Sequence, residues 1–140
     1  MNSMSKSIKH LICLILMIMS ATNISGCNRN ESITSVSATE FEKEMKADSV
    51  LLLDVRTSEE YTEGHIAGAM NIDVRSGGFL STAGEELSKD YTILVYCRSG
   101  RRSMDAAGIL TGLGYKVINL RGGIIEWKED GLPVTGGKSE

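Results

Sequence analysis

The chain has 140 residues, and its 15 Lys and Arg against 18 Asp and Glu give a net charge of −3. This length allows one ordinary domain, and the slight acidic excess argues against a nucleic-acid-binding protein, which normally carries a basic surplus. The composition, 41% hydrophobic and 24% charged, is that of a globular protein, while three cysteines are too few for a disulfide scaffold and no His/Cys cluster suggests a zinc site.

The N-terminal segment has the pattern of a secretory signal. Residues 1–10 are polar and basic, and residues 11–19 (LICLILMIM) form an apolar run that is too short for a bilayer, which needs about 20 residues. The segment ends in ISGC at residues 24–27, which resembles the lipobox of bacterial lipoproteins. The resemblance implies that residues 1–26 are a cleaved lipoprotein signal peptide and that Cys27 carries a diacylglyceryl lipid. The alternative is an ordinary cysteine after an ordinary signal.

Removal of 26 residues that hold two lysines and no acid would leave 114 residues with 13 bases and 18 acids, a net charge of −5. We expect residues 27–34 to be the lipidated N-terminus and a polar tether, residues 35–135 to be one domain, and residues 136–140 to be a C-terminal tail. A domain of about 100 residues buries roughly two-thirds of its unfolded surface, which suffices for a stable core.

The first half of this domain predicts two strands and two helices. Residues 33–36 form a short strand. Ser37 and Glu40 have capping-box spacing, so a helix starts there with a buried face of Ala38, Phe41 and Met45. The apolar run VLLLDV at residues 50–55 is typical of a strand covered on both faces. A second capping box at residues 57–60 starts a short helix that Gly64 ends.

The second half continues the alternation. Residues 70–74 predict a strand, residues 75–89 a loop with one helical turn near residues 85–88, and YTILVY at residues 91–96 a second buried strand. A helix over residues 101–113 would bury Met104, Ala107 and Leu110 and end at Gly114. A strand at residues 116–120 and a helix at residues 123–128, with Trp127 in the core, complete the domain.

Strands that alternate with helices predict an α/β fold with a mainly parallel central sheet and helices on both faces. Ligands of such sheets bind beyond the carboxyl ends of the strands. This rule directs attention to the segment after residues 91–96.

That segment is Cys97, Arg98, Ser99, Gly100, Arg101 and Arg102, here called the cysteine loop. A helix start offers unpaired N–H groups and the positive end of a dipole, and a curled backbone forms an anion site; both stabilise a thiolate, as do guanidinium groups. Gly100 allows the backbone to curl. The loop therefore predicts a nucleophilic sulfur that meets an anionic substrate. The alternative is a buried structural cysteine beside surface arginines.

Three motifs in order resemble the single-domain rhodanese-like sulfurtransferases. The first motif is LDVR at residues 53–56, which continues through EEY at residues 59–61 to GHIAGAMNI at residues 64–72. The second motif is VYCRSGRRS at residues 95–103. The third motif is LRGG at residues 120–123, which Trp127 follows. The match covers roughly residues 33–133. Ala67 stands where the family usually has proline.

The resemblance implies a rhodanese-like three-layer fold and a role for each matching residue. Cys97 matches the catalytic cysteine that carries a persulfide, and the backbone of the cysteine loop would cradle it. Arg98, Arg101 and Arg102 would hold a dianionic donor, with Ser99 and Gly100 as further substrate-binding residues. Asp54, Arg56 and His65 match supporting positions, where they brace loops or take part in catalysis. No metal and no organic cofactor is expected.

The resemblance further implies transfer of a sulfane sulfur from thiosulfate, or a similar donor, to cyanide or a thiol. The expected partners are these small molecules and the membrane that holds the Cys27 lipid, facing the periplasm or the cell exterior; no nucleic-acid partner is expected, and the protein is expected to be a monomer. Two alternatives stay open: a persulfide-carrying or partner-binding module with little turnover, and a phosphatase. Phosphatases of this fold use a loop one residue longer than residues 97–102. The shorter loop makes a smaller pocket, which suits a sulfur atom better than a phosphoryl group and weakens the phosphatase hypothesis.

Overall fold

The computed structural model describes residues 33–137, in which five strands alternate with five helices. In chain order these elements are β1 (Thr34–Val36), α1 (Ala38–Glu44), β2 (Val50–Asp54), α2 (Ser58–Glu63), β3 (Met70–Asn71), α3 (Phe79–Glu86), β4 (Thr92–Tyr96), α4 (Arg101–Gly112), β5 (Lys116–Leu120) and α5 (Gly123–Glu129). The predicted signal peptide, the lipid site at Cys27 and most of the tether lie outside the described residues.

The five strands form one sheet in the order β1-β5-β4-β2-β3, and every pair of neighbouring strands in it is parallel. The two long apolar strands, β2 and β4, are neighbours in register, with Leu53 opposite Val95 and Asp54 opposite Tyr96. The prediction of an α/β fold built on a parallel sheet is confirmed.

The helices cover both faces of the sheet. Successive side chains of a strand point to opposite faces, and those of β2 and β4 are apolar on both faces, so both faces need to be covered. On one face Leu53, Val95 and neighbouring strand residues pack against α3 and α4. On the other face Leu52, Leu94 and Tyr96 pack against α1 and α5, and Trp127 is only 2% exposed there. The result is a three-layer fold in which β4 lies at the centre of the sheet.

Two predicted capping boxes start α1 and α2. The Ser37 hydroxyl accepts the Glu40 N–H at 3.4 Å, and the Glu40 carboxylate accepts the Ser37 N–H at 2.9 Å. Thr57 and Glu60 form the same pair of bonds at 3.3 and 3.1 Å. In both helices two backbone N–H donors at the N-terminus therefore find partners without help from another element.

Three expectations about local structure were wrong. The predicted single turn near residues 85–88 is the helix Phe79–Glu86, which forms because Phe79 and Ala83, four residues apart, are both buried. The strand predicted over residues 70–74 is only the two residues of β3. Met104, predicted to be core, is 40% exposed, and Ser103 and Ala106 lie on the buried face of α4 instead.

None of the helices within residues 33–137 has the length and apolar character that crossing a bilayer requires.

Candidate active site

Cys97 follows the last residue of β4 and is 1% exposed. It sits at the carboxyl end of the central strand, the place where ligands of parallel sheets bind. Only three residues separate it from the start of α4, so the chain must turn sharply within the cysteine loop. The thiol is free of disulfide bonding.

The sharp turn depends on Gly100, the N-cap of α4. Its φ of 94° lies in the left-handed region, and a Cβ at this position would overlap the carbonyl oxygen of Arg121. Any other residue would therefore meet both backbone strain and a steric clash. The turn directs the Gly100 N–H at the Cys97 Sγ, which accepts it at 3.1 Å.

Ser103, in the first turn of α4, supplies a second donor to the sulfur. Its side chain has no exposed surface, and its Oγ lies 3.4 Å from the Cys97 Sγ and 3.1 Å from the Gly100 carbonyl oxygen. Burial raises the pKa of the Cys97 thiol. The Ser103 hydroxyl and the N–H groups of Ser103, Ser99 and Gly100 outweigh burial, so the net pKa is lowered. This site therefore makes the thiolate easier to form than in an unperturbed cysteine.

The cysteine loop is held from behind by the start of α5. The N–H groups of Ile124 and Ile125 donate to the carbonyl oxygens of Cys97 and Arg98 at 2.9 and 3.2 Å. This close approach needs Gly123, which has a φ of 63° and whose added Cβ would overlap the Arg98 carbonyl. The LRGG motif thus acts as the support for the cysteine loop.

The three arginines of the loop occupy different environments. Arg98 and Arg101 are exposed. Arg102 is half-buried, and both of its terminal nitrogens donate to the Glu60 carboxylate of α2, at 2.7 and 2.8 Å. The hydrogen bonds from Arg102 are the main reason that the pKa of Glu60 falls to about 2, and Glu60 in turn raises the pKa of Arg102. Arg102 is therefore oriented by α2.

Asp54 and Arg56 form a buried ion pair at the end of β2. Their closest nitrogen and oxygen atoms are 2.6 Å apart, and the side chains are 0% and 6% exposed. Arg56 also donates to the Gly64 carbonyl oxygen at 2.7 Å, which ties β2 to the end of α2. Burial is the largest single influence on the pKa of Arg56 and lowers it, but the hydrogen bonds to Asp54, the charge of Asp54 and smaller contributions from Tyr96 and Glu60 together outweigh it, so the net pKa is raised. These contacts are those of a brace between elements.

His65 lies in the segment after α2. Its Nδ1 is 2.8 Å from the Tyr61 carbonyl oxygen, and its ring stacks on the Tyr61 ring with centroids 3.7 Å apart. Its backbone exchanges two hydrogen bonds with Thr135, at 2.8 and 2.7 Å. These contacts fix the loop to the C-terminal part of the domain.

Two residues of this site were missed in the sequence. The sequence predicts Glu60 only as a capping residue, because nothing in its spacing shows that Arg102, 42 positions away, binds its carboxylate. Ser103 follows the cysteine loop directly, and its helical spacing to Ala106, Ala107 and Leu110 is a signal that could have placed it on the buried face. Within residues 33–137 no group of three or more His, Cys, Asp or Glu side chains comes together as a metal site.

Comparison with known proteins agrees with this geometry. A sulfurtransferase of Allochromatium vinosum is 41% identical over 88 residues, which are 62% of this chain and 79% of that protein. A chloroplastic thiosulfate sulfurtransferase of Arabidopsis thaliana is 35% identical over 91 residues, 58% of this chain and 76% of that protein.

Solved structures and family models point the same way. The crystal structure of a rhodanese-related protein from Thermoplasma volcanium aligns with a TM-score of 0.62 at 32% identity, and covers 73% of this chain and 97% of that one. The family model described as a rhodanese-like domain matches residues 37–130, which are most of the chain. The chain therefore belongs to the rhodanese-like family and has sulfurtransferases among its relatives.

Proposed function

We propose that this protein is a thiosulfate sulfurtransferase, which moves a sulfane sulfur through a persulfide on Cys97. The observation that carries the proposal is the pair of donors on the Cys97 Sγ, the Gly100 N–H at 3.1 Å and the Ser103 hydroxyl at 3.4 Å. Both stabilise the thiolate, which is the form of cysteine that attacks sulfur. The relatives named as sulfurtransferases support the same chemistry.

The reaction has two displacement steps. In the first, the Cys97 thiolate attacks the outer sulfur of thiosulfate, an Sγ–S bond forms, and sulfite leaves with the electron pair of the broken S–S bond. In the second, the acceptor attacks the outer sulfur of the persulfide, and the pair of the Sγ–S bond returns to Cys97. Cyanide would leave as thiocyanate, and a thiolate would leave as a persulfide. Cys97 itself carries the transferred sulfur atom.

The arginines of the cysteine loop suit an anionic donor. Arg98 and Arg101 are exposed and form no ion pair among residues 33–137, so their charges are available to a ligand. The charge of Arg102 is largely balanced by the ion pair with Glu60. The three arginines therefore have different proposed roles. Arg98 and Arg101 attract the dianionic donor, while Arg102 fixes the shape of the loop and attracts the donor more weakly.

The test is an intact-mass measurement after incubation with thiosulfate. The wild-type chain should gain the mass of one sulfur atom, lose it on addition of cyanide, and release thiocyanate. The matched control is Cys97→Ser, which is nearly the same size and cannot hold a persulfide, and which should gain no sulfur while its circular dichroism spectrum is unchanged. A wild-type chain that never gains sulfur, or a Cys97→Ser chain that forms thiocyanate as fast as the wild type, would refute the proposal.

A second candidate function is a persulfide carrier with slow turnover. The observation that favours it is the burial of Cys97, which is 1% exposed and therefore hard for a large acceptor to reach. The same mass experiment with a bulky thiol as the acceptor separates the two functions, because a carrier gains the sulfur readily but loses it slowly to an acceptor that cannot reach the buried Sγ. Steady-state transfer to the bulky thiol would then be limited by the second step.

We also propose that the protein is exported and anchored by a lipid on Cys27. The support is the sequence alone: a basic segment, a short apolar run and ISGC at residues 24–27.

A further inference from the structure

The Ser103 hydroxyl has one proton and two acceptors. Its Oγ is within hydrogen-bond distance of the Cys97 Sγ, at 3.4 Å, and of the Gly100 carbonyl oxygen, at 3.1 Å. Rotation about the Cβ–Oγ bond moves the proton from one to the other without displacing a heavy atom. The Gly100 oxygen also accepts the Met104 N–H at 3.2 Å, so it keeps a partner when the hydroxyl turns toward the sulfur.

We propose that Ser103 is a catalytic residue whose hydroxyl donates to the Cys97 Sγ when that sulfur is negative and to the Gly100 oxygen when it is neutral. This proposal rests on the proposed sulfur transfer through Cys97. The Sγ is negative in the resting thiolate. In the persulfide the negative charge lies on the outer sulfur, and the Sγ between two bonded atoms is neutral.

The same hydroxyl then serves both steps of the reaction. In the first step the Sγ–S bond forms, charge leaves the Sγ, and the hydroxyl is released to the Gly100 oxygen. In the second step the acceptor forms a bond to the outer sulfur, the Sγ–S bond breaks, and its electron pair returns to the Sγ. The hydroxyl turns back and stabilises this leaving thiolate as its charge develops. No proton is lost or gained by Ser103 in either step.

The position of Ser103 in the fold supports this role. The other buried residues of α4 are Ala106, Ala107 and Leu110, so the helix packs on the sheet with apolar side chains except at the one place where it meets the sulfur. A buried hydroxyl needs a partner. The Gly100 oxygen alone would satisfy it, and the competing explanation is therefore that Ser103 only caps the loop.

The experiment measures the pH dependence of Cys97 alkylation in the full-length chain without any sulfur donor. Iodoacetamide reacts with the thiolate, and mass spectrometry of the tryptic peptide from residues 90–98, which contains Cys97, separates it from Cys13 and Cys27. The variant is Ser103→Ala. The matched control is Thr111→Val, which removes another hydroxyl of α4, one that donates to the Ala107 carbonyl oxygen at 2.9 Å and not to sulfur.

The measured midpoint also reflects the charged groups around the sulfur, which all three chains share. Arg102 interacts with the Cys97 sulfur through its charge, and Glu60 and Asp73 act on Arg102 in turn. Arg98 and Arg101 belong to the same loop. The comparison of variants therefore isolates the hydroxyl.

Loss of a hydrogen bond to a charged acceptor should raise the alkylation midpoint of Ser103→Ala by about one pH unit, which means about tenfold less thiolate below the midpoint. Thr111→Val should keep the wild-type midpoint. In single-turnover assays of Ser103→Ala at a pH below the wild-type midpoint, persulfide formation should slow because less thiolate is present, and discharge to cyanide should slow because the leaving thiolate has lost a donor, each by about three- to tenfold. Circular dichroism and the melting temperature establish that each variant is folded.

An unchanged midpoint in Ser103→Ala would overturn the proposal and leave Ser103 as a loop cap. An equal rise in Thr111→Val would also overturn it, because the effect would then be general to α4. A raised midpoint in Ser103→Ala together with a wild-type chain that takes no sulfur from thiosulfate would support the contact with the thiolate and refute the proposed donor.

Discussion

At the scale of single residues, Glu60 links helix formation to the geometry of the loop. One of its oxygens accepts the Thr57 N–H at 3.1 Å, which starts α2, and its two oxygens receive the Arg102 guanidinium at 2.7 and 2.8 Å. A carboxylate already fixed by a capping box loses little further entropy when it binds an arginine. A bidentate pair also orients the guanidinium plane. Glu60 therefore sets where Arg102 points before any donor arrives.

We predict that Glu60→Gln lowers the free energy of unfolding by about 1 kcal/mol at neutral pH, a value discounted for screening because the Glu60 side chain is 27% exposed. The control is Glu59→Gln on the same helix, where the side chain is exposed and makes no ion pair among the described residues. Urea unfolding of the three chains measures the difference. Equal stability of all three chains would contradict an energetic role for the pair.

The same pair has a predictable pH dependence. The pKa of Glu60 is lowered from 4.5 to about 2 by its bonds to Arg102 and Thr57, so its stabilising effect is complete above about pH 4.5 and is lost as the pH falls toward 2. The stability difference between wild type and Glu60→Gln should therefore be constant near neutral pH and shrink in that acid range. Unfolding curves measured at several pH values check this. A difference that grows on acidification would mean that the sign is wrong.

At the scale of elements, the cysteine loop is shaped by the three elements that meet at it. β4 brings in Cys97, α4 begins at Arg101, and the first N–H groups of α5 bind the carbonyl oxygens of Cys97 and Arg98. Gly100 and Gly123 are the positions where backbones come too close for a side chain. The shape of the sulfur site is therefore a property of backbone packing, which substitutions at these glycines would disturb.

We predict that Gly100→Ala lowers the free energy of unfolding by more than about 2 kcal/mol, because it adds left-handed strain to a clash with the Arg121 carbonyl. The matched control is Gly108→Ala within α4, where no atom lies within 4 Å of the added Cβ; it should raise stability by about 0.5–1 kcal/mol. Thermal unfolding of both variants checks the opposite signs. A Gly100→Ala chain as stable as the wild type would show that the loop can open to accept a side chain.

Sequence patterns predicted the elements that depend on local rules and missed those that depend on tertiary contacts. The apolar runs of β2 and β4 and the two capping boxes were predicted correctly, because each pattern is contained in a few consecutive residues. The helix Phe79–Glu86 was missed because it has no side-chain cap and is stabilised by burying Phe79 and Ala83. Met104 was assigned to the core because hydrophobicity alone does not show that a helix turns Ser103 toward a sulfur. The sequence thus predicts the cysteine loop as the candidate site, while the second donor to its sulfur, Ser103, depends on a tertiary contact that the sequence does not show.

The length of the cysteine loop leads to a prediction about selectivity. With six residues from Cys97 to Arg102, and Gly100 packed against Arg121, the loop has little room to widen for a phosphoryl group. We predict no appreciable hydrolysis of aryl phosphates by the wild-type chain.

Insertion of one glycine between Gly100 and Arg101 should reduce sulfur transfer, because it moves the Gly100 N–H and the Ser103 hydroxyl away from the Cys97 Sγ. Parallel assays with thiosulfate plus cyanide and with an aryl phosphate check both, and efficient phosphatase activity of the unmodified chain would refute the role of loop length.

At the scale of the whole molecule, the rhodanese-like domain and the N-terminal segment call for different explanations. The domain accounts for the buried core and the sulfur site within residues 33–137. Residues 1–26 hold two lysines and no acidic residue, whereas the rest of the chain carries a net charge of −5. An acidic domain is repelled by anionic lipid headgroups and would not adhere to a membrane by charge. Membrane attachment of this protein would therefore need a contribution other than charge, such as a covalent anchor.

We predict that Cys27 provides that anchor. A lipoprotein cysteine receives more than one acyl chain, and two chains hold a protein stably where one gives only marginal, reversible binding. Wild type should therefore sediment with membranes in a bacterial host and carry a lipid mass on Cys27, while Cys27→Ser should lose the lipid and leave the membrane fraction. Cys97→Ser is the control, since it also replaces one thiol but leaves ISGC at residues 24–27 intact, and it should fractionate like the wild type. Because electrostatic attachment weakens with salt, a high-salt wash separates the two kinds of binding. Wild-type protein that the wash releases, or that partitions like Cys27→Ser without any lipid mass, would show that ISGC is not a lipidation site.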